Sequence, residues 1–160
     1  MTAISFTLNG QVVSADTTDD TPLLYVLRND LGCKSVRFGC GLEQCGCCAV
    51  LVDGVKTFAC ALPSGSVEGK SVETVEGLGD VASPHPIQQA FLDEQAGQCG
   101  YCLSGLIIAT KALLEQNASP SRSEIRAVLD KHLCRCGAHT RIVCAVERAA
   151  EATRCIFQQA

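Results

Sequence analysis

Four cysteines limit what this chain can fold into more than any other feature. Cys40, Cys45, Cys48 and Cys60 are spaced Cys-x4-Cys-x2-Cys-x11-Cys, and the first three lie in the run Arg37-Phe38-Gly39-Cys40-Gly41-Leu42-Glu43-Gln44-Cys45-Gly46-Cys47-Cys48. Those three match the plant-type spacing for a 2Fe–2S cluster, whose irons are held by four thiolates. A short loop must wrap its backbone around iron and sulfide and aim three thiolates inward. Glycines at 39, 41 and 46 allow close backbone approach, so N–H groups can point at the sulfurs. A zinc site usually pairs two Cys-x2-Cys knuckles, which a four-residue gap followed by a two-residue gap fits badly. Cys47 lies between two of the proposed ligands. Only the register Cys40–Cys45–Cys48 gives the four-then-two gaps, so Cys47 is read as a spare thiol packed beside the cluster, acting as a small hydrophobe.

The chain has 12 cysteines in 160 residues, which in a secreted protein would suggest disulfides. Its start, Met1-Thr2-Ala3-Ile4-Ser5, has no basic region and no twin arginine, so no export signal is expected. The cysteines also cluster in short loops. Metal binding in a reducing, cytoplasmic compartment is the better expectation. Net charge is −4 with no basic run, which argues against nucleic acid and against an anionic membrane surface as partners. No apolar run approaches the ~20 residues of a spanning helix, so this chain is not expected to insert into a membrane. Aromatic residues make up 4% and tryptophan is absent, so the core must be aliphatic.

The order of elements follows from pattern. Ile4 to Leu8 alternates apolar and polar, Asn9-Gly10 is a hairpin signal, and Gln11 to Ala15 is the return strand. Thr21 is expected to cap a helix with Pro22 at its first position and Leu23, Leu24, Val26 and Leu27 inward. After the cysteine loop, Cys48 to Val52 reads as a strand. Asp53-Gly54 is a second hairpin turn, Val55 to Leu62 the partner strand carrying Cys60, and Ser71 to Val75 a last strand. This is an α+β sheet-on-helix domain over residues 1–79. From residue 80 to 160 every patterned stretch is helical. Pro84-His85-Pro86 opens one helix, Leu103 to Gln116 is a second, Ser121 with Glu124 makes a capping box for a third, and Thr140 caps a fourth. Four short antiparallel helices make a bundle.

The bundle has its own cysteines, in Gln98-Cys99-Gly100-Tyr101-Cys102 and Cys134-Arg135-Cys136-Gly137, spaced Cys-x2-Cys-x31-Cys-x-Cys. Both runs are inter-helix loops that fall at one end of an antiparallel bundle. Four thiolates there can hold zinc or a 2Fe–2S cluster, and Cys-x-Cys is awkward for a zinc knuckle. A Rieske centre needs two histidine ligands. His85, His132 and His139 offer no such pairing and are read as solvated or capping side chains.

The motifs together resemble the two-cluster iron–sulfur subunit of molybdenum hydroxylases, the xanthine oxidase family. The carriers are Thr21-Pro22-Leu23-Leu24, Leu27-Arg28-Asn29-Asp30-Leu31-Gly32, Gly39-Cys40-Gly41 with Gln44-Cys45-Gly46, Val52-Asp53-Gly54, Gln98-Cys99-Gly100-Tyr101-Cys102 and Leu133-Cys134-Arg135-Cys136. The resemblance runs from about Ile4 to Ala152. Asn29-Asp30-Leu31-Gly32 and Cys136-Gly137-Ala138-His139 look most like the small subunits of nicotinate- and isoquinoline-type N-heterocycle dehydrogenases. Cys47 is a departure, because relatives usually carry another small residue such as alanine there. Cys33, Cys144 and Cys155 are further spare thiols, read as buried or incidental.

The resemblance implies a plant-type ferredoxin-like (β-grasp) first domain and a four-helix second domain, each with a 2Fe–2S cluster. The implied ligands are Cys40, Cys45, Cys48 and Cys60 for the first cluster, and Cys99, Cys102, Cys134 and Cys136 for the second. Gln98 and Cys99 are implied to lie near the pterin of a molybdenum cofactor (molybdopterin) on a large partner subunit. The chain lacks a molybdenum domain, a flavin domain and a nucleotide fingerprint. It is therefore expected to pass electrons from that partner to an FAD subunit or a haem-bearing cytochrome c, with no catalytic residue of its own. The resemblance implies a complex that oxidises a substrate such as nicotinate and that is associated with a membrane, if at all, through a partner. A chain that relays electrons must press its cluster edges against partners, so exposed apolar side chains are expected beside both loops. The rival readings are a free ferredoxin-type carrier, which leaves the second cysteine set unexplained, and a structural zinc or disulfide protein.

Overall fold

The computed structural model describes residues 2–157, with side chains described for residues 3–154. Strands β1 (Thr2–Leu8) and β2 (Gln11–Thr17) pair antiparallel around Asn9-Gly10, where φ is 50° and 82°. Both values are left-handed, as the two-residue hairpin turn that matches strand twist requires. β3 (Ala49–Val52) and β4 (Val55–Phe58) repeat the arrangement around Asp53-Gly54, with φ of 50° and 78°. β5 (Ser71–Glu73) comes last in the chain but lies in the middle of the sheet, in the order β2-β1-β5-β3-β4. It runs parallel to β1 and antiparallel to β3, and Val72 faces both Leu8 and Val52.

The helix over this sheet is short. α1 (Leu23–Tyr25) continues as a π-turn through Val26–Asp30, and Leu23, Leu24, Val26 and Leu27 are fully buried as the pattern required. The expected cap is different. Pro22 itself holds the N-cap position with extended ψ, and no side chain caps it. Thr21 Oγ1 is instead engaged by the hydroxyls of Thr17 and Thr18, each at 2.8 Å. The free amides of the first turn find backbone partners: Leu23 N–H donates to Leu62 O at 2.8 Å and Leu24 N–H to Ala59 O at 3.0 Å. Those carbonyls flank Cys60, so the helix start fixes the segment that carries it. This also explains why β4 ends at Phe58 rather than Leu62. β5 likewise stops at Glu73, because Thr74 N–H turns to Asn9 Oδ1 at 2.8 Å.

All four residues of β3 are buried, and alternate side chains on a strand point to opposite faces. Val50 and Val52 join Ile4, Phe6, Leu24 and Leu27 beneath α1. Ala49 and Leu51 pack on Ile108 and Ala112 of α3 (Leu103–Gln116). The sheet is thus covered on both sides, which is why its third strand reads as a continuous apolar run.

The remaining helices are α2 (Pro86–Asp93), α4 (Arg122–Leu129) and α5 (His139–Phe157). His85 caps α2: its Nδ1 accepts from Ile87 N–H at 3.2 Å, while Gln88 Oε1 accepts from His85 N–H at 2.8 Å. Ser121 and Glu124 form the expected reciprocal box on α4. Thr140, expected as a cap, lies within the first turn of α5, which the carbonyl of buried Ala138 opens by accepting from Ile142 N–H at 3.0 Å. α5 is also 19 residues long, not short. It packs against α2 and α4, and α3 against α2 and α4. Among the described residues, no helix is long and apolar enough to cross a membrane.

Candidate metal centres

The loop between the π-turn and β3 does what its glycines suggested. Cys40 Sγ accepts the N–H groups of Leu42 and Gln44, each at 3.3 Å, and Cys45 Sγ accepts that of Cys40 at 3.3 Å. Burial works against ionisation of Cys40, yet these donors outweigh it and bring the thiol down to about 7. Deeper in the loop burial wins, and Cys48 is pushed up to about 12. The loop is tight. A Cβ on Gly39 would stand 2.5 Å from Cys45 Sγ, and Glu43 takes a left-handed φ of 58°, an unusual conformation for a residue with a side chain.

The two bundle loops meet at one end of the helices, as the antiparallel arrangement predicted. Gln98 Nε2 donates to Cys136 O at 3.4 Å. Cys102 and Cys134 are buried, Cys136 is half-buried, and Cys99 and Gln98 are exposed. The Tyr101 N–H holds the Cys99 thiol below its ordinary value, while burial and neighbouring Cys134 push Cys102 up to about 12.

A more specific feature is which thiols adjoin. Cys45 adjoins Cys40 and also Cys47, Cys48 adjoins Cys60, Cys99 adjoins Cys136 and Cys102 adjoins Cys134. Among the described residues, no three His, Cys, Asp or Glu side chains gather around a single point as the ligands of one metal ion do. Two thiols per iron, on two irons, is the arrangement that a 2Fe–2S cluster takes from four cysteines. With N–H donors already aimed at Cys40 and Cys45, the residues present fit that group. Nothing in the spacing alone revealed the pairing.

The two sets are neighbours. Cys45 and Cys47 share one buried core with Cys102 and Cys134. Leu133 N–H donates to Cys45 O at 3.0 Å. An apolar cavity between the loops is lined by Gly39, Cys45, Cys47, Cys99, Cys102 and Cys134. Cys47 is buried, as expected of a thiol packed beside the site, and burial with Cys45 alongside pushes it up to about 12. Cys33 is also buried and Cys144 half-buried. The side chain of Cys155 lies outside the described residues. Leu42 and Leu133 are 69% and 62% exposed, with Phe38 and Tyr101 about half exposed, so apolar groups do surround both loops.

His132 departs from expectation. It is neither solvated nor a cap but 4% exposed, with both ring nitrogens lacking a hydrogen-bond partner. Its ring fills the space over Gly46, where a Cβ would come within 2.2 Å of Nδ1. The signal that sequence reasoning missed is this fit between a buried imidazole in one loop and a glycine in the other. Burial, helped by the Lys56 charge, lowers its pKa from 6.5 to about 4. A depressed histidine stabilises the fold above its unfolded value and loses that contribution as pH falls through the folded one. Thermal unfolding followed between pH 7 and pH 4 should show the parent chain losing about 3 kcal/mol more than His132→Gln, the product of the shift and 1.36 kcal/mol per unit. Equal acid sensitivity of the two would contradict the buried neutral ring.

Comparison with known proteins covers both halves. Residues 6–74 match the family described as a 2Fe-2S iron-sulfur cluster binding domain, and residues 74–147 a 2Fe-2S binding domain. The chain is 51% identical to a nicotinate dehydrogenase subunit of Pseudomonas putida, over 96% of this chain and 98% of that one. It is 44% identical to the alpha subunit of isoquinoline 1-oxidoreductase from Brevundimonas diminuta, over 92% and 97%. Its fold superposes on a chain of quinoline 2-oxidoreductase from Pseudomonas putida with a TM-score of 0.91 and 34% identity, covering 96% of each. Matched along nearly its whole length by full-length subunits of such oxidoreductases, the chain belongs to the two-cluster 2Fe–2S subunits of the molybdenum hydroxylases, the xanthine oxidase family.

Proposed function

We propose that this chain is the electron relay of an N-heteroaromatic dehydrogenase. The thiols of Cys99, Cys102, Cys134 and Cys136 stand on the molybdenum side, and those of Cys40, Cys45, Cys48 and Cys60 on the acceptor side. When bound, each cluster accepts and gives up one electron at a time. The protein's work is to hold, space and shield it. Buried Cys102 and Cys134 anchor the inner edge of the bundle site, while exposed Gln98 and Cys99 are free to meet the large subunit near its pterin. The Leu42 and Gln44 N–H groups stabilise negative charge on Cys40 at the other end. The acceptor is a flavin subunit or a cytochrome. The named relatives support nicotinate or a similar ring as the substrate of the assembled complex.

The observation that carries this reading is the contact between the sites. Cys45 of the first set shares one buried core with Cys102 and Cys134 of the second, and the loops are joined at the Cys45–Leu133 hydrogen bond, which suits transfer within the chain. A free carrier with one working centre would need no such contact, and the relatives are named as subunits. Iron and acid-labile sulfide analysis of the purified chain tests it. About four irons and four sulfides per chain are expected from two such clusters. Zinc in place of iron at either set would overturn the assignment.

A further inference from the structure

We propose that Arg37 is a positioning residue shared by both cluster sites, clamping the sheet-domain loop to the bundle loop and raising the reduction potential of both clusters. The inference rests on the ligand assignment above.

The clamp is reciprocal. Arg37 is rooted in the first loop, where its N–H donates to Cys47 O at 3.2 Å. Its side chain crosses to the second loop, where Nη1 donates to Gly100 O at 2.5 Å and the guanidinium carbon lies 5.3 Å from the centre of the Tyr101 ring. Tyr101 reaches back, and its hydroxyl donates to Phe38 O. Residues 37 and 38 are thus tied to residues 100 and 101 by two side chains running in opposite directions. Both ties lie within three residues of a proposed ligand, Cys40 on one side and Cys99 and Cys102 on the other.

The charge is as well placed as the contacts. A guanidinium is not deprotonated in a protein. Arg37 is half-buried, so solvent screens it less than exposed Arg135. Among the described residues, no carboxylate pairs with it in an ion pair. Its side chain bonds to Gly100, next to Cys99, and its backbone to Cys47, next to Cys48, so the charge lies between the two loops. Reduction adds one negative charge to a cluster, so a fixed cation between the loops stabilises the reduced form of each. Groups around the ligands, not the ligands alone, tune such centres.

The test is a redox titration of the loaded chain, monitored by EPR, on the parent, Arg37→Gln, Arg37→Lys and Arg135→Gln. Arg37→Gln should lower both potentials, by about tenfold in each reduction equilibrium, the effect of a unit charge roughly 12 Å away at an effective dielectric near 20, which is 59 mV for one electron. Arg37→Lys keeps the charge while losing the planar fork, and should keep both potentials near the parent values. Arg135→Gln should move neither by as much. A merely structural role predicts that Lys and Gln behave alike, and that result would overturn the proposal. So would a potential that stays put in Arg37→Gln at either site. If Arg37→Gln takes up no iron, Arg37→Lys decides: parent-like potentials support the proposal, and lowered ones refute it. Failure of the ligand assignment would show separately, as a parent chain short of iron and sulfide for two clusters.

Discussion

Serine in place of Cys48 is expected to abolish the EPR signal of the sheet-domain cluster and leave that of the bundle cluster, whereas serine in place of Cys47 should leave both. The two residues are adjacent and both buried, at 1% and 6% exposure, so burial does not distinguish them. Partners do. Cys48 meets the sulfur of Cys60, whose segment is pinned by the amides of Leu23 and Leu24, and so completes a second thiol pair beside Cys40 and Cys45. Cys47 lies in the core between the two sites, beside the thiol of Cys45, which already adjoins Cys40. A lost ligand removes the whole cluster, so iron and sulfide should each fall by about two per chain in Cys48→Ser and by none in Cys47→Ser. The reverse pattern would move the register of the loop by one residue and break the plant-type spacing.

Alanine in place of Gly105 should destabilise the protein, although the same change inside an exposed helix would stabilise it by about 1 kcal/mol. Gly105 lies in the first turn of α3, where the helix meets the cysteine loop. A Cβ there would stand 1.9 Å from Gly46 O and 3.3 Å from Cys47 Cα. Both are backbone atoms of a loop held by its thiols and by the His132 ring, so neither can swing away. Overpacking of this kind costs about 1–3 kcal/mol, and at roughly 2–4 °C per kcal/mol for a chain of this size the melting temperature should fall by about 2–12 °C. The displaced loop should also lose iron faster. A melting temperature at or above the parent's in Gly105→Ala would mean that α3 does not seat on the loop this closely.

Local signals made most of the fold legible. Asn9-Gly10 and Asp53-Gly54 specify left-handed turns by themselves, and Ser121 with Glu124 is a self-contained cap. What stayed hidden depends on partners far along the chain. Thr21 has the chemistry of a cap, but the Ala59 and Leu62 carbonyls reach the helix amides first. The buried run of β3 carried no sign of which helix covers its second face, because Ala49 and Leu51 would pack as well on any apolar surface as on Ile108 and Ala112. The eight proposed ligand positions come from cysteine spacing and from the family resemblance, both of which are read from the sequence alone. The seat of His132 on Gly46 and the Arg37–Tyr101 clamp were not legible in the sequence, since each joins two loops more than 60 residues apart.

If electrons enter at the bundle thiols and leave at the Cys40 loop, breaking the bundle site must strand them on the large subunit. Rapid-mixing EPR on the assembled complex carrying Cys136→Ser, with substrate as the reductant, reads this out. Loss of that ligand should remove the bundle cluster while the four thiols of the sheet domain keep theirs. Substrate should still reduce the molybdenum site on the large subunit, and the sheet-domain cluster should stay oxidised on the turnover timescale. Rapid reduction of the sheet-domain cluster in that variant, with the bundle cluster verified as absent, would contradict the order.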